Sequence, residues 1–215
     1  MTVYGAPAVS VTVVEHPLVA RHLAVLRDEA TLSPVFRQTL SDVSMLLLYE
    51  ALRDLRVEEG VVETPLEEAR ARRLADEVVV VAILRAGLGM VDGALRVVPE
   101  ARVGHLGMFR DEKALRPVGY YENLPTGVRT AEVVVMDPML ATGGSAVSAV
   151  SRIKEEGSER IRMVCLVAAP EGLEHFTSIH PDVNLWCASI DRELDERGYI
   201  RPGLGDAGDR LYGTD

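Results

Sequence analysis

The chain has little cysteine, little lysine, few aromatic residues and no long apolar run, and each shortage excludes something. Its only cysteines are Cys165 and Cys187, too few for a disulfide-stapled secreted module or a cysteine-built zinc site. No apolar run exceeds seven residues, Val78–Leu84 being one, far short of a membrane span. No basic-then-apolar leader opens the chain, so the expected compartment is the cytoplasm, with no membrane partner. Acidic residues outnumber basic ones by 33 to 23, a formal charge of −10, and such a surface repels phosphate backbones. Nucleic acid is therefore not expected as a partner, and any phosphate-handling site must be local. Lysine is nearly absent, since Lys113 and Lys154 stand against 21 arginines. The five histidines show no metal-ligand spacing.

What is present is a globular composition, 47% hydrophobic and 26% charged over 215 residues, enough for one α/β domain. No repeat, low-complexity stretch or linker divides it. We expect a single domain over 1–215, with a helical part at 1–75, an α/β core at 76–198 with a hairpin arm at 110–123, and a C-terminal loop at 199–215. From Phe36, apolar residues recur at Leu40, Val43, Leu47, Ala51 and Leu55, a helical period. A second helix is expected at Thr64-Pro65, where Thr64 and Glu67 form a capping box and Pro65 suits the first helical position.

Beyond residue 76 the pattern alternates. Val78–Leu84, Val103–Phe109, Glu132–Met136, Arg162–Ala168 and Asn184–Ile190 read as strands. Helices are expected from Gly87 to near Pro99, at Ser145–Gly157 and near Glu171–Ile179. Strands separated by short helices imply a mostly parallel central sheet with helices on both faces. Cys165 and Cys187 fall on core strands as small buried residues, Trp186 is expected to pack, and Asp92-Gly93 suits helix packing. The segment from Tyr199 to Asp215, rich in glycine and without periodicity, is expected to be an ordered loop, where sites concentrate.

The most informative segment is Asp137-Pro138-Met139-Leu140-Ala141-Thr142-Gly143-Gly144-Ser145, an acid at a strand end, a small-residue turn, then a helix. Such a turn exposes backbone N–H groups at a helix N-terminus, where the dipole favours an anion. Read alone, it is also an ordinary strand-to-helix connection with Ser145 as N-cap. It lacks the Gly-Lys-Ser/Thr of a Walker loop and is no dinucleotide fingerprint.

In its surroundings this segment resembles the phosphoribosyl-pyrophosphate (PRPP) loop of type I phosphoribosyltransferases. Asp137-Pro138, in place of two adjacent acids, marks the uracil phosphoribosyltransferase branch. Ile83-Leu84-Arg85-Ala86-Gly87-Leu88-Gly89-Met90 is similar to the family's pyrophosphate loop. Gly104–Glu112 is similar to the strand entering its flexible arm, and Pro202–Arg210 to its uracil-binding loop. The resemblance runs in order from about Phe36 to the end; before Phe36-Arg37, where the family usually has a lysine, the chain reads Leu32-Ser33-Pro34-Val35.

The resemblance implies the type I phosphoribosyltransferase fold and a salvage enzyme making UMP and diphosphate from uracil and PRPP. Asp137 to Ser145 would cradle the ribose 5-phosphate and diol. Arg85 and Arg110 would hold the diphosphate, with the polar segment Asp111–Asn123 and its Tyr120-Tyr121 pair as a mobile hairpin; Asp111 and Glu112 read as solvated loop charges. Uracil would lie against Ile200 and the Gly205-Asp206-Ala207 backbone, Asp206 also meeting PRPP or a Mg²⁺-bound water. The catalytic set so implied is Arg85, Arg110, Asp137 and Asp206, with Asp209 and Arg210 bracing the loop by a local ion pair. Mg²⁺ would arrive with PRPP rather than in a protein cage. The resemblance also implies a homo-oligomer, dimer or tetramer, assembled through the helical N-terminal third or a strand near the hairpin, with GTP as a possible effector. The rivals are transfer to another base, disfavoured by the C-terminal loop, an RNA attenuator, disfavoured by the acidic charge, and a non-catalytic PRPP sensor.

Overall fold

The computed structural model describes residues 10–110 and 117–214. Its elements are β1 (Val11–Val13), α1 (Pro17–Arg27), α2 (Ser33–Ala51), β2 (Val57–Glu63), β3 (Glu68–Leu74), β4 (Val78–Leu84), α3 (Leu88–Val97), β5 (Arg102–Arg110), β6 (Pro117–Asn123), β7 (Glu132–Met136), β8 (Met139–Leu140), α4 (Gly144–Glu155), β9 (Ile161–Ala168), α5 (Pro170–Ile179), β10 (Asn184–Ile190), β11 (Glu193–Leu194), β12 (Ile200–Arg201) and α6 (Ala207–Tyr212). The main sheet runs β1-β10-β9-β7-β4-β5-β6, with β8 added on β9. Every pairing along it is parallel except β5 with β6. This is the expected α/β architecture.

Because side chains alternate across a strand, each central strand feeds two cores. Val78, Val80, Val134, Met136, Val164 and Leu166 join one cluster with α1, α2 and α3. Val79, Val81, Val133, Val135, Met163 and Cys165 join the other with α4 and α5. Fully buried β-branched runs such as Val78–Ile83 are what a parallel sheet covered on both faces requires. Cys165 and Cys187 are buried, free and in register on neighbouring strands, as small core residues. Gly93 is a close-approach glycine, because a Cβ there would stand 2.1 Å from the Ser41 carbonyl oxygen of α2. Among the described residues no helix is long and apolar enough to cross a membrane.

Two N-terminal expectations are corrected. Thr64-Pro65 opens no helix: Thr64 Oγ1 accepts from the Leu66 and Glu67 N–H groups, at 3.2 and 3.1 Å, and donates to the Glu67 carbonyl at 2.7 Å. The same hydroxyl chemistry that caps a helix here closes the β2–β3 hairpin. The strands match Glu59 with Arg72 and Glu58 with Arg73, and the first pair is an ion pair at 3.0 Å. The stretch 1–75 is therefore not uniformly helical, since β1 is a further strand within it. The C-terminal segment is also more regular than a loop, for it contains β12 and α6.

Candidate functional site

The chain reverses direction across the sheet between β4 and β7. From β4 it moves outward through α3 to β5, and from β7 it moves the other way to β9 and β10. The crevice at the carboxyl ends of β4 and β7 is the topological switch point, where ligands bind in open α/β sheets. One loop leaves β4 with Arg85-Ala86-Gly87, following a cis peptide between Leu84 and Arg85. The other leaves β7 with Asp137. They meet at Gly87, where a Cβ would lie 2.6 Å from both the Ile83 and Met136 carbonyl oxygens.

The Asp137 loop is held on several sides. The Pro138 carbonyl accepts from Leu166 N–H and Val167 N–H at 3.0 and 3.1 Å, and the Leu140 carbonyl accepts from Ala169 N–H at 2.9 Å. Met139 and Leu140 thus run as β8 beside Val167 and Ala168. Gly172 of α5 supports the loop from below, since its would-be Cβ lies 2.2 Å from the Ala141 carbonyl oxygen. His175 Nδ1 sits 2.8 Å from the Thr142 carbonyl. Neither Gly172 nor His175 was identified from the sequence, because their partners lie on another element.

The N-cap of α4 is Gly143, left-handed at φ 78°, and no side chain caps the helix. Ser145 is thus not the N-cap but lies in the first turn. The N–H groups of that turn have no partner within the helix, and the dipole adds partial positive charge. Pro138, Leu140 and Gly143 are buried, Thr142 is exposed, and Gly144 and Ser145 are half-buried at the mouth. The nine residues therefore divide into anchors and presenters. Asp137 is half-buried at the end of β7. Burial pushes its carboxyl up to about 7, partly opposed by the Met139 N–H 3.4 Å from Oδ1.

Arg85 is exposed over 56% of its side chain and pairs with Asp209 at 3.1 Å. Thr214, at 2.6 Å, and Arg85 together hold the Asp209 carboxyl below its ordinary range. A Cβ on Gly208 would stand 3.6 Å from Arg85 Nη2 and 3.2 Å from Asp206 Oδ1, so Arg85, Asp206 and Asp209 form one group. Asp206 caps α6 through the Asp209 N–H at 2.9 Å. Tyr212 donates its hydroxyl to the Arg85 carbonyl at 3.2 Å.

The expected Asp209–Arg210 ion pair is corrected. Asp209 pairs with Arg85, while Arg210 stacks 4.4 Å over the Phe36 ring and donates to the carbonyls of Leu26, Leu204 and Asp28. Ile200 is buried, as is Ala207, whereas Gly205, at φ 72°, and Asp206 are exposed. Arg110 closes β5 opposite Pro117; its side chain lies outside the described residues, as do Asp111, Glu112 and the rest of 111–116.

The chain is similar to known proteins over nearly its whole length. A family model described as uracil phosphoribosyltransferase matches residues 13–214. The uracil phosphoribosyltransferase of Salinibacter ruber is 57% identical over 205 residues, covering 95% of this chain and 98% of that one. The AQ2163 protein of Aquifex aeolicus superposes with a TM-score of 0.92 at 40% identity, over 96% of this chain and 99% of that one. Mycobacterium tuberculosis orotate phosphoribosyltransferase in complex with PRPP shares the fold, with a TM-score of 0.50 at 14% identity over 82% of this chain and 91% of that one.

Proposed function

Because the chain belongs to the uracil phosphoribosyltransferase family, we propose that it converts uracil and PRPP to UMP and diphosphate. The observation that carries this reading is the pairing, across the switch point, of an uncapped helix N-terminus beside Asp137 with the Arg85 loop. The 5-phosphate takes the N–H groups of the first turn of α4 and the hydroxyls of Thr142 and Ser145. The ribose diol donates to Asp137, and the diphosphate is held by Arg85 and Arg110. Mg²⁺ would enter with PRPP and help neutralise the diphosphate, and Asp206, beside Arg85, would accept from waters on that ion.

Uracil takes its polar edge to backbone groups of Ile200 and Gly205–Ala207. Its N1 attacks C1 of the ribose as the C1–O bond to diphosphate breaks, and the N1 proton leaves to solvent. Positive charge grows on the ribose, as in glycoside cleavage. No side-chain nucleophile is needed: orientation and neutralisation of the leaving group supply the acceleration. The free thiols of Cys165 and Cys187 suit a cytoplasmic setting. A homo-oligomer belongs to the same reading. The β2–β3 ribbon exposes Leu66 over 95% of its surface together with Val57 and Val61, and a lone two-stranded hairpin is marginal in water.

The test is diphosphate release from PRPP and Mg²⁺ with uracil, cytosine, orotate, hypoxanthine or no base. Turnover is expected with uracil, and about 10³-fold or more below it with cytosine, whose amino group leaves backbone donors unpaired. Turnover with another base would move the reading of residues 200–207; PRPP binding without turnover would favour a sensor.

Asp137 adds a pH dependence. With its carboxyl at about 7, the group is increasingly neutral below that pH and charged above it. PRPP affinity should therefore weaken below pH 7, approaching about tenfold per unit, and the slope should flatten in Asp137→Asn. Calorimetric titration between pH 5.5 and 8.5 checks this, and equal slopes in the two proteins would refute it.

A further inference from the structure

Gly203 lies between Ile200 and Gly205, in the middle of the proposed base loop, and both sides of it are held by one ion pair with a buried carboxylate and a half-buried guanidinium. Its N–H donates to Asp191 Oδ2 at 2.9 Å, and its carbonyl accepts from Arg27 Nη1 at 3.0 Å. The same two side chains grip each other, Arg27 Nη1 reaching Oδ2 at 2.8 Å and Nη2 reaching Oδ1 at 2.6 Å. Ser189 Oγ adds a donor to Oδ1 at 2.8 Å, so the two carboxylate oxygens accept four hydrogen bonds between them, counting the one from Gly203. The Asp191 side chain is only 2% exposed.

Gly203 transmits this hold to the loop. Its φ is 62°, and a Cβ would lie 2.1 Å from the Ile200 carbonyl oxygen, so that carbonyl abuts the Gly203 Cα. The other half of the loop ends on the same place, because Arg210 ties the Leu204 carbonyl to those of Leu26 and Asp28. Through Arg27 and Arg210 the loop is thus tied to the last turn of α1, to its C-cap Asp28 and to Asp191. Gly203 itself is buried.

We infer that the end of α1 is the positioning device for base recognition, with Arg27 and Asp191 as positioning residues that orient the Ile200 and Gly205–Ala207 backbone toward uracil. This rests on the reading of those residues as the uracil site. Where a base is recognised by backbone groups, no side chain can adjust to restore a displaced bond, so a small shift of the loop falls directly on base affinity. The 5-phosphate loop is anchored on β9 and α5 instead, so PRPP should feel the shift only through Asp206, whose carboxylate is held separately by the Asp209 N–H.

The experiment is steady-state kinetics of Arg27→Lys, Asp191→Asn and Ser189→Ala, each with its melting temperature. Lysine keeps a charge for Asp191 but is a point donor that cannot reproduce the fork spanning Asp191 and Gly203. The expected result is a KM for uracil raised about tenfold or more in Arg27→Lys and Asp191→Asn, and less in Ser189→Ala, with the KM for PRPP within about twofold of the parent. If Asp191→Asn fails to fold, Arg27→Lys decides. An unchanged uracil KM in a folded variant, or uracil and PRPP constants rising together, would overturn the inference. A parent protein that transfers no ribose to uracil would instead overturn the function it rests on.

Discussion

An Asp137→Asn protein is expected to melt above the parent at pH 8 while releasing diphosphate roughly 10²- to 10³-fold more slowly. Both effects have one origin. Burial pushes the Asp137 carboxyl from its ordinary 3.8 up to about 7, so the fold binds that proton more tightly than the unfolded chain does. For an acid with a raised value, the penalty of burying its charge builds up as pH rises from 3.8 and is complete above about 7. At pH 8 asparagine removes the whole penalty, and its side-chain oxygen can still accept from Met139 N–H. Near pH 4 the parent is mostly neutral and the two proteins should melt alike.

The lost charge is the one that the proposed chemistry uses. A carboxylate facing the ribose diol also faces the positive charge that develops on the sugar, and an amide gives neither the strong acceptor nor the counter-charge. Stability surrendered at an active site in exchange for rate is a common pattern. Thermal melts at pH 4 and pH 8, with turnover at pH 8, check it. A variant melting at or below the parent at pH 8, or one within tenfold of its rate, would contradict this account.

Gly172→Ala is the second large effect, and its sign separates two arguments. Within a helix alanine is favoured over glycine by about 1 kcal/mol, so propensity alone predicts a more stable protein. The would-be Cβ, however, stands 2.2 Å from the Ala141 and 2.8 Å from the Leu140 carbonyl oxygens, both backbone atoms that cannot swing aside. The loop must lift off α5, which disturbs its bond from Ala169 N–H and the left-handed Gly143 above it. Overpacking of this kind destabilises by about 1–3 kcal/mol. We expect a lower melting temperature and PRPP affinity weakened by about 10²-fold, that being the usual scale when a binding group is displaced by an ångström. A rise in melting temperature with unchanged PRPP binding would show that the loop yields at little cost.

The central strands were legible because their signal is local. Val78–Leu84, Glu132–Met136 and Asn184–Ile190 have the bounds that their apolar runs imply. The Asp137–Ser145 loop was legible for the same reason, its chemistry being contiguous. Thr64-Pro65-Leu66-Glu67 misled because a hydroxyl accepting from N–H groups two and three residues ahead serves a helix start and a tight hairpin equally. What decided between them was pairing of arginines with glutamates across two strands, which has no helical period. Helix α1 went unseen since only Val19, Leu23 and Leu26 mark its buried face and its N-cap is a histidine, with His16 Nδ1 accepting from Leu18 N–H at 3.1 Å. Arg27 and Asp191 are 164 residues apart, and neither carries a motif. Asp209 choosing Arg85 over its neighbour Arg210 was likewise a matter of tertiary approach.

The sheet's two cores have a consequence for how such a protein can change. Ile200, Leu204 and Leu211 sink into the cluster shared by α1, α2 and α3, whereas Leu140, Ala146, Ala149 and Phe176 belong to the cluster on the opposite face. The part that reads the base is therefore founded on one side of the wall and the helix that receives the phosphate on the other, although Met139 and Ala141 of the phosphate loop lean on the first side. Substitutions that reshape the first foundation can accumulate without loosening the second. A new base preference could arise on one side of the sheet while the grip on the sugar phosphate is inherited intact.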